Sequence, residues 1–333
     1  MKRIPILSAL LLAAPAVLAQ PAEQPRTVGG LPMESVTVVG VKPSEETIQS
    51  FVENRVAPSR TLGKVARWNS QLCPQTVGLR ADYAKYISGR IREVAAAVGA
   101  PVSLDPGCRQ NIQVVFTTTP QDLMDSVRRN QPLFVGYFQN LAEADRLAKV
   151  THPLQAWYAT ETVDYYGNSV IDNGRCGMTS SAATLNTQML TSSDASGMST
   201  QAAVFQLTLP CATVAHVSRS RVNNGLNTAF HNILVVAEPA KLLDHEIGGL
   251  ADYIAMLVLS QPASLDSCQE LPSISNMLAP GCANVPNRIT DGDLAYLRAL
   301  YQTVDGSALV TQRRFMRSQM YKTLVTDKGG PNG

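Results

Sequence analysis

The chain has 333 residues, 28 of them Lys or Arg and 26 Asp or Glu. Setting aside Lys2 and Arg3 of the leading segment leaves 26 of each sign, a balance that points to neither nucleic acid nor an anionic membrane as partner. An apolar fraction of 45% is enough for a packed globular core.

Residues 1–19 read as a secretory signal peptide. Lys2 and Arg3 form its basic start, Ile4 to Leu18 its apolar run, and Val17-Leu18-Ala19 a cleavage site before Gln20. The run is shorter than the roughly 18–20 apolar residues of a membrane span, so no span is expected after cleavage. The expected location is periplasmic or secreted. Residues 20–33, rich in Pro, Gln and Gly, read as a flexible leader. Residues 34–325 are expected to form one α+β domain, and residues 326–333 a flexible tail.

Within the domain, Ser35 to Val41 reads as a short strand, and Ser44-Glu45-Glu46 opens a helix to about Asn54. Arg67 to Leu72 reads as a strand running into Cys73. Tyr83, Ile87, Ile91, Val94 and Val98 step by three or four residues, an amphipathic helix stopped by Gly99 and Pro101. Asn111 to Thr118 is a β-branched strand, and Pro120 sits at the first position of a helix to about Arg129. "LQAWYATETV" is the next strand. Residues 174–203, rich in Gly, Ser, Thr, Ala and Met, read as a long surface excursion. "VFQLTLP" and "HNILVVAEP" are strands. Leu243, Ile247, Leu250, Ile254 and Leu257 mark a second strong helix. Thr290 and Asp293 have capping-box spacing at the start of a third, and a basic amphipathic helix carries Phe315, Met316 and Met320. This order implies a mixed sheet with helices packed on it.

Six cysteines in an exported chain read as a disulfide framework. Sequential pairing is favoured, because Cys73 with Cys108, Cys176 with Cys211, and Cys268 with Cys282 each bracket one local unit. A Cys-based metal cluster is disfavoured, since no C-x-x-C spacing occurs.

The stretch His245-Glu246-Ile247-Gly248-Gly249 nearly matches the zinc-peptidase pattern H-E-x-x-H, in which two histidines share one helix face and the glutamate is general base. On a helix that includes Leu243, His245 falls about 200° from the apolar stripe, where a metal ligand would lie. Gly249 stands where the second histidine belongs. Asp252 shares the His245 face but lies about 10 Å along the axis, too far to replace it. His152, His216 and His231 are isolated in sequence. His245 and Glu246 are therefore the candidate site residues, His245 as metal ligand and Glu246 as base. Against this stands the reading of Asp244 and Glu246 as ordinary acidic residues of a helix start.

"GKVARWNSQLCP", "RIREVAAAVGAPV", "CRQNIQVVFTTTPQDL", "HPLQAWYATE", "LADYIAMLVLSQP" and "ITDGDLAYLRALY" together resemble an uncharacterised family of exported bacterial proteins, over nearly all of residues 36–320. That family is in turn distantly similar to zincin-type, metallopeptidase-like domains. The resemblance implies a zincin-like core and carries over no catalytic residue, because the chain departs from the motif at the decisive ligand.

No G-x-S-x-G, G-x-G-x-x-G or Walker sequence occurs. Asp122, Asp125, Asp291 and Asp293 lack calcium-loop spacing. Trp68 and Trp157 are expected in the core, and Arg313, Arg314, Arg317 and Lys322 on a solvated face. The expected function is a non-catalytic or pseudo-peptidase envelope protein, without cofactor, that binds a protein, peptide or cell-wall ligand. The alternative is a divergent zinc-dependent metallohydrolase.

Overall fold

The long strand Asn227–Ala237 is the axis of the molecule, because it accepts partners along both edges. In this computed structural model the described residues are 42–172, 185–187, 205–207, 225–283 and 285–326. The expected signal peptide, leader and Ser35–Val41 strand, together with Cys176, Cys211 and His216, lie outside them, as does the expected 326–333 tail apart from Thr326, which ends a helical turn. Most of the 174–203 excursion lies outside them too. The described residues from Lys42 onward belong to one compact unit.

The strands are Ala66–Arg67 (β1), Pro74–Val77 (β2), Ile112–Phe116 (β3), Leu154–Val163 (β4), Ser169–Ile171 (β5), Leu185–Thr187 (β6), Phe205–Leu207 (β7) and Asn227–Ala237 (β8). The helices are Glu45–Arg55 (α1), Ala81–Ala97 (α2), Pro120–Asn130 (α3), Leu141–Leu147 (α4), Ile247–Leu259 (α5), Asp291–Tyr301 (α6) and Leu309–Tyr321 (α7). The main sheet runs β2-β3-β8-β4-β5, with β1 also on β8. β1 and β3 each pair in parallel with β8, as β2 does with β3, whereas β4 is antiparallel to β8 and β5 antiparallel to β4. β6 and β7 form a separate antiparallel pair. The expected α+β class with a mixed sheet and helices packed on it is what the chain adopts.

β8 is buried on both faces from Phe230 onward apart from His231, which is why it reads as a nearly continuous apolar run. One face, through Ile112, Val114, Phe230, Ile233 and Val235, packs against residues of α1, α2, α5, α6 and α7. The other, through Trp157, Ala159, Leu234 and Val236, packs against α3, α4 and the 3-10 turn Pro132–Val135. Trp68 is buried in the first layer and donates to the Val258 carbonyl at 2.7 Å.

Local chemistry sets the element ends. Ser44 caps α1 by accepting from the Thr47 amide at 3.1 Å. Thr290 and Asp293 form a reciprocal capping box at α6. The strand expected over Arg67–Leu72 is shorter, ending at Arg67, and a new strand begins beyond Cys73. Leu72 instead exchanges backbone bonds with the Pro101–Ser103 turn, and the Cys73 amide donates to the Asn111 side chain. Pro74 is tolerated because it is the first residue of an edge strand. Tyr83 heads the apolar stripe of α2 yet is exposed, its ring 5.2 Å from the Arg80 guanidinium carbon.

Cys73–Cys108 and Cys268–Cys282 are disulfides, as the sequential pairing expects. Such bridges persist in oxidising, non-cytoplasmic compartments. No helix among the described residues is long and apolar enough to cross a membrane.

The two bridges close loops of different length, with separations of 35 and 14 residues. Replacing Cys73 and Cys108 together by Ser is expected to cost about 4 kcal/mol in urea unfolding, and the Cys268/Cys282 pair about 3 kcal/mol. Non-reducing peptide mapping checks the connectivity directly. A cross-link between the two units would contradict this fold.

Candidate functional site

The near-zinc motif meets the structure at the entrance to α5. A 3-10 turn over Pro239–Lys241 brings the chain to Leu242, and the His245 amide donates to the Leu242 carbonyl at 3.1 Å. Glu246 is the N-cap, with extended backbone, and the helix starts only at Ile247. His245 therefore precedes the helix instead of lying on its face opposite the core, and Leu243 is 81% exposed instead of buried. The helical-wheel expectation fails for a physical reason. Every residue from Gly248 to Leu259 is buried, so the helix is apolar all round and has no polar face to set the phase.

Gly249 is not simply a missing ligand. A Cβ at this position would lie 2.8 Å from the Asn287 carbonyl oxygen and 3.3 Å from the Met277 sulfur. The neighbouring Gly248 is crossed by the Arg288 side chain, whose Nη2 lies 3.9 Å from the Glu246 carboxylate. The space that a second histidine needs is filled by the segment leading into α6. Asp252 is fully buried and committed: its Oδ1 accepts from Arg90 Nε at 2.5 Å and its Oδ2 from the Ile289 amide at 2.9 Å. Among the described residues no three His, Cys, Asp or Glu side chains converge as a ligand set. A zinc ion does not fit the residues around His245 and Glu246.

The two other described histidines, isolated in sequence, are paired in space. His152 Nε2 lies 2.9 Å from Asp266 Oδ1, and its Nδ1 lies 2.8 Å from the Thr151 hydroxyl. His231 is the extra residue of a bulge where β8 pairs with Ala159 and Thr160, and its Nδ1 is 3.1 Å from Glu161 Oε2. Bulges re-aim side chains, and this one turns His231 toward the carboxylate of the neighbouring strand.

The concave site lies on β4. Among the described residues, strand β5 covers the outer edge of β4 only over Glu161–Val163, and no other strand pairs with the stretch from Leu154 to Ala159 there. The Asp172 amide donates to the Thr160 carbonyl at 2.9 Å, so the even-numbered residues of β4 direct their backbone groups outward. The Glu238 amide reaches the Pro153 carbonyl from the β8 side, consistent with that alternation. Ala156 thus presents its amide and carbonyl to a cleft of about 300 Å³, with Tyr158 beside it. Among the described residues no other backbone group bonds Ala156 or Tyr158 along this edge.

One wall of the cleft is Val135–Tyr137 with Leu147, and the other is Gln261–Leu265. Gly136 has φ of +90°, and a Cβ there would lie 2.7 Å from the Tyr158 carbonyl. Only glycine lets this wall approach the strand so closely. Tyr158 donates its hydroxyl to the Leu257 carbonyl at 3.1 Å, and burial raises its pKa, so it remains a neutral donor. Trp157 lines the floor with its indole NH fixed on the Leu147 carbonyl at 2.6 Å.

The rim is charged. Arg60 pairs with Glu143 and stands 5.6 Å from the centre of the Tyr137 ring. The Gln139 amide, donating at 2.7 Å, together with Arg60 holds the Glu143 carboxyl below its ordinary range. The opposite rim carries the His152–Asp266 pair. Sequence reasoning missed Arg60, Gly136, Tyr158 and Asp266. Gly136 was the one visible signal, a glycine directly after the apolar Leu133-Phe134-Val135 run.

Two outcomes test this geometry. Gly249→His is expected to destabilise the protein by about 1–3 kcal/mol, because it overpacks against backbone, and to bring no stoichiometric zinc on elemental analysis. A zinc-loaded variant of unchanged stability would refute the packing argument. The Glu143 tie has a pH sign. A depressed carboxyl stabilises the fold above its unfolded value of about 4.3, and that contribution is lost as pH falls through the lower folded value. Below about pH 4 the melting temperature of wild type should therefore fall more steeply than that of Glu143→Gln.

No protein-family model, curated protein or solved structure matches this chain.

Proposed function

We propose that this is an exported, non-catalytic envelope protein, periplasmic or secreted, that binds a short extended polypeptide in the β4 cleft. The observation that carries this reading is the outer edge of β4, open at Ala156 among the described residues and recessed between two walls. Unpaired strand edges are templates for another extended chain, and main-chain hydrogen bonds then give affinity while side-chain pockets give specificity. Ala156 offers both an amide and a carbonyl, one complete step of strand pairing. A volume of about 300 Å³ suits two or three residues of a guest. Trp157, Tyr158, Leu147 and Leu265 supply the apolar lining, and the Arg60–Glu143 and His152–Asp266 pairs the polar rim.

The non-catalytic part rests on what lies around His245 and Glu246. They offer one ligand and one base, and the place for the next ligand is occupied by the Asn287 backbone. The scaffold reads as one that keeps a peptide cleft and does without the metal pattern.

The test is selection of displayed random dodecapeptides on the purified, oxidised protein. Enriched peptides should bind with micromolar affinity by titration calorimetry. Ala156→Pro removes only an outward N–H, which an edge strand tolerates, and should weaken that binding at least tenfold while leaving thermal stability nearly unchanged. Failure to enrich any peptide, or equal binding by a folded Ala156→Pro variant, would sink the reading.

A further inference from the structure

Arg55 closes α1 and is among the largest fully buried side chains, at 1% exposure. Its Nε and Nη2 atoms are buried without a hydrogen-bond acceptor. No carboxylate of the described residues lies within ion-pair distance of it. A guanidinium stays protonated at every accessible pH, so this residue cannot relieve its burial by losing charge. A buried charge without an ion-pair partner and with unmatched N–H groups is costly for a fold to hold.

The neighbours do not supply the missing charge. Tyr253 and Tyr296 both feel Arg55, yet burial pushes each phenol up to about 12, so neither becomes a phenolate counter-ion. Asp293 also feels Arg55, but it makes no ion pair with it, and its oxygens already accept from Ser273, the Ile274 amide and Thr290. Instead, a second cation stands close by. Arg313 of α7 donates through Nη2 to the Val56 carbonyl, adjacent to Arg55, and its own buried Nε also lacks an acceptor. Both arginines act on the Tyr296 hydroxyl. Against that one carboxylate the region carries two positive charges, with three N–H bearing atoms unmatched.

We propose that Arg55 and Arg313 hold a small monovalent anion of halide size inside the domain, between α1, α6 and α7. Charge and hydrogen-bond donors are both in surplus there, and an anion satisfies both at once. A water satisfies the hydrogen bonds only. The site joins the first helix of the domain to its last two, so the anion acts as an internal staple. It does not depend on the cleft reading.

The experiment uses the full mature protein. Thermal midpoints are measured against sodium chloride, with sodium gluconate keeping ionic strength constant. An anion bound only to the folded state raises the midpoint in step with its occupancy. We expect a rise of several degrees that follows chloride and that is lost in Arg55→Met. Crystals soaked in bromide should show an anomalous peak in contact with Arg55. Because Arg55→Met could fail to fold, the bromide peak in wild type is the independent readout. A water molecule or nothing at that position, together with midpoints that respond equally to chloride and gluconate, would overturn the proposal.

Discussion

Asp252 is the tie on which the centre of this molecule depends. It sits on α5, completely buried, and its two oxygens bind two different elements: Arg90 of α2 and the Ile289 amide at the entrance to α6. A buried carboxylate left without its cation costs about 3–5 kcal/mol, so the three elements are not free to part. With Ile289 held there, the preceding residues are drawn over the first turn of α5. Asn287 then lies over Gly249 and Arg288 over Gly248. The two glycines are what that crossing requires. The same tie therefore explains why two glycines follow Ile247: the face of α5 that Asn287 and Arg288 cross is used to build the core.

A second buried carboxylate repeats the device nearby. Asp293 closes the capping box of α6 and also receives Ser273 and the Ile274 amide. The long connection between α5 and α6 is thereby pinned at Ser273 and Ile289, and Cys268–Cys282 closes the loop that contains Ser273. Such a connection has little regular structure, yet its polar groups are largely consumed by side chains, which is how an irregular segment becomes a rigid wall.

These ties also decide what could be read from the sequence. Strand β4 was legible residue for residue, because a run rich in aromatic and β-branched residues is bounded by Pro153 and by the turn at Gly167. The α6 capping box and Pro120 at the start of α3 were legible because their chemistry is local. The beginning of α5 was not, since a helix buried all round gives no phase and Leu243 extends the apolar spacing by coincidence. Its true start depends on the turn at Pro239 and on residues 287–289, which no window around His245 contains. The histidine pairs escape for the same reason. His152 meets a carboxylate 114 residues away and His231 one 70 residues away. The cleft is still less visible, because it is a property of a sheet edge and not of any residue run.

That edge poses a problem that the surrounding structure resolves. An open strand edge invites uncontrolled pairing with other chains. Here only a short length is open, because β5 covers one end and Gly136 presses against the Tyr158 carbonyl. The walls are fixed independently of each other. One is anchored through Trp157 to the Leu147 carbonyl and through Arg60 to Glu143. The other is held by the Gln261 carbonyl, which accepts from the Ala57 amide, and by the Cys268–Cys282 bridge that follows it. Walls held by covalent and buried ties rather than by a guest need little ordering on binding, and preorganisation of that kind turns a small contact area into useful affinity. On the peptide-binding proposal, a recess of about 300 Å³ favours a single extended segment by shape before any side chain is read.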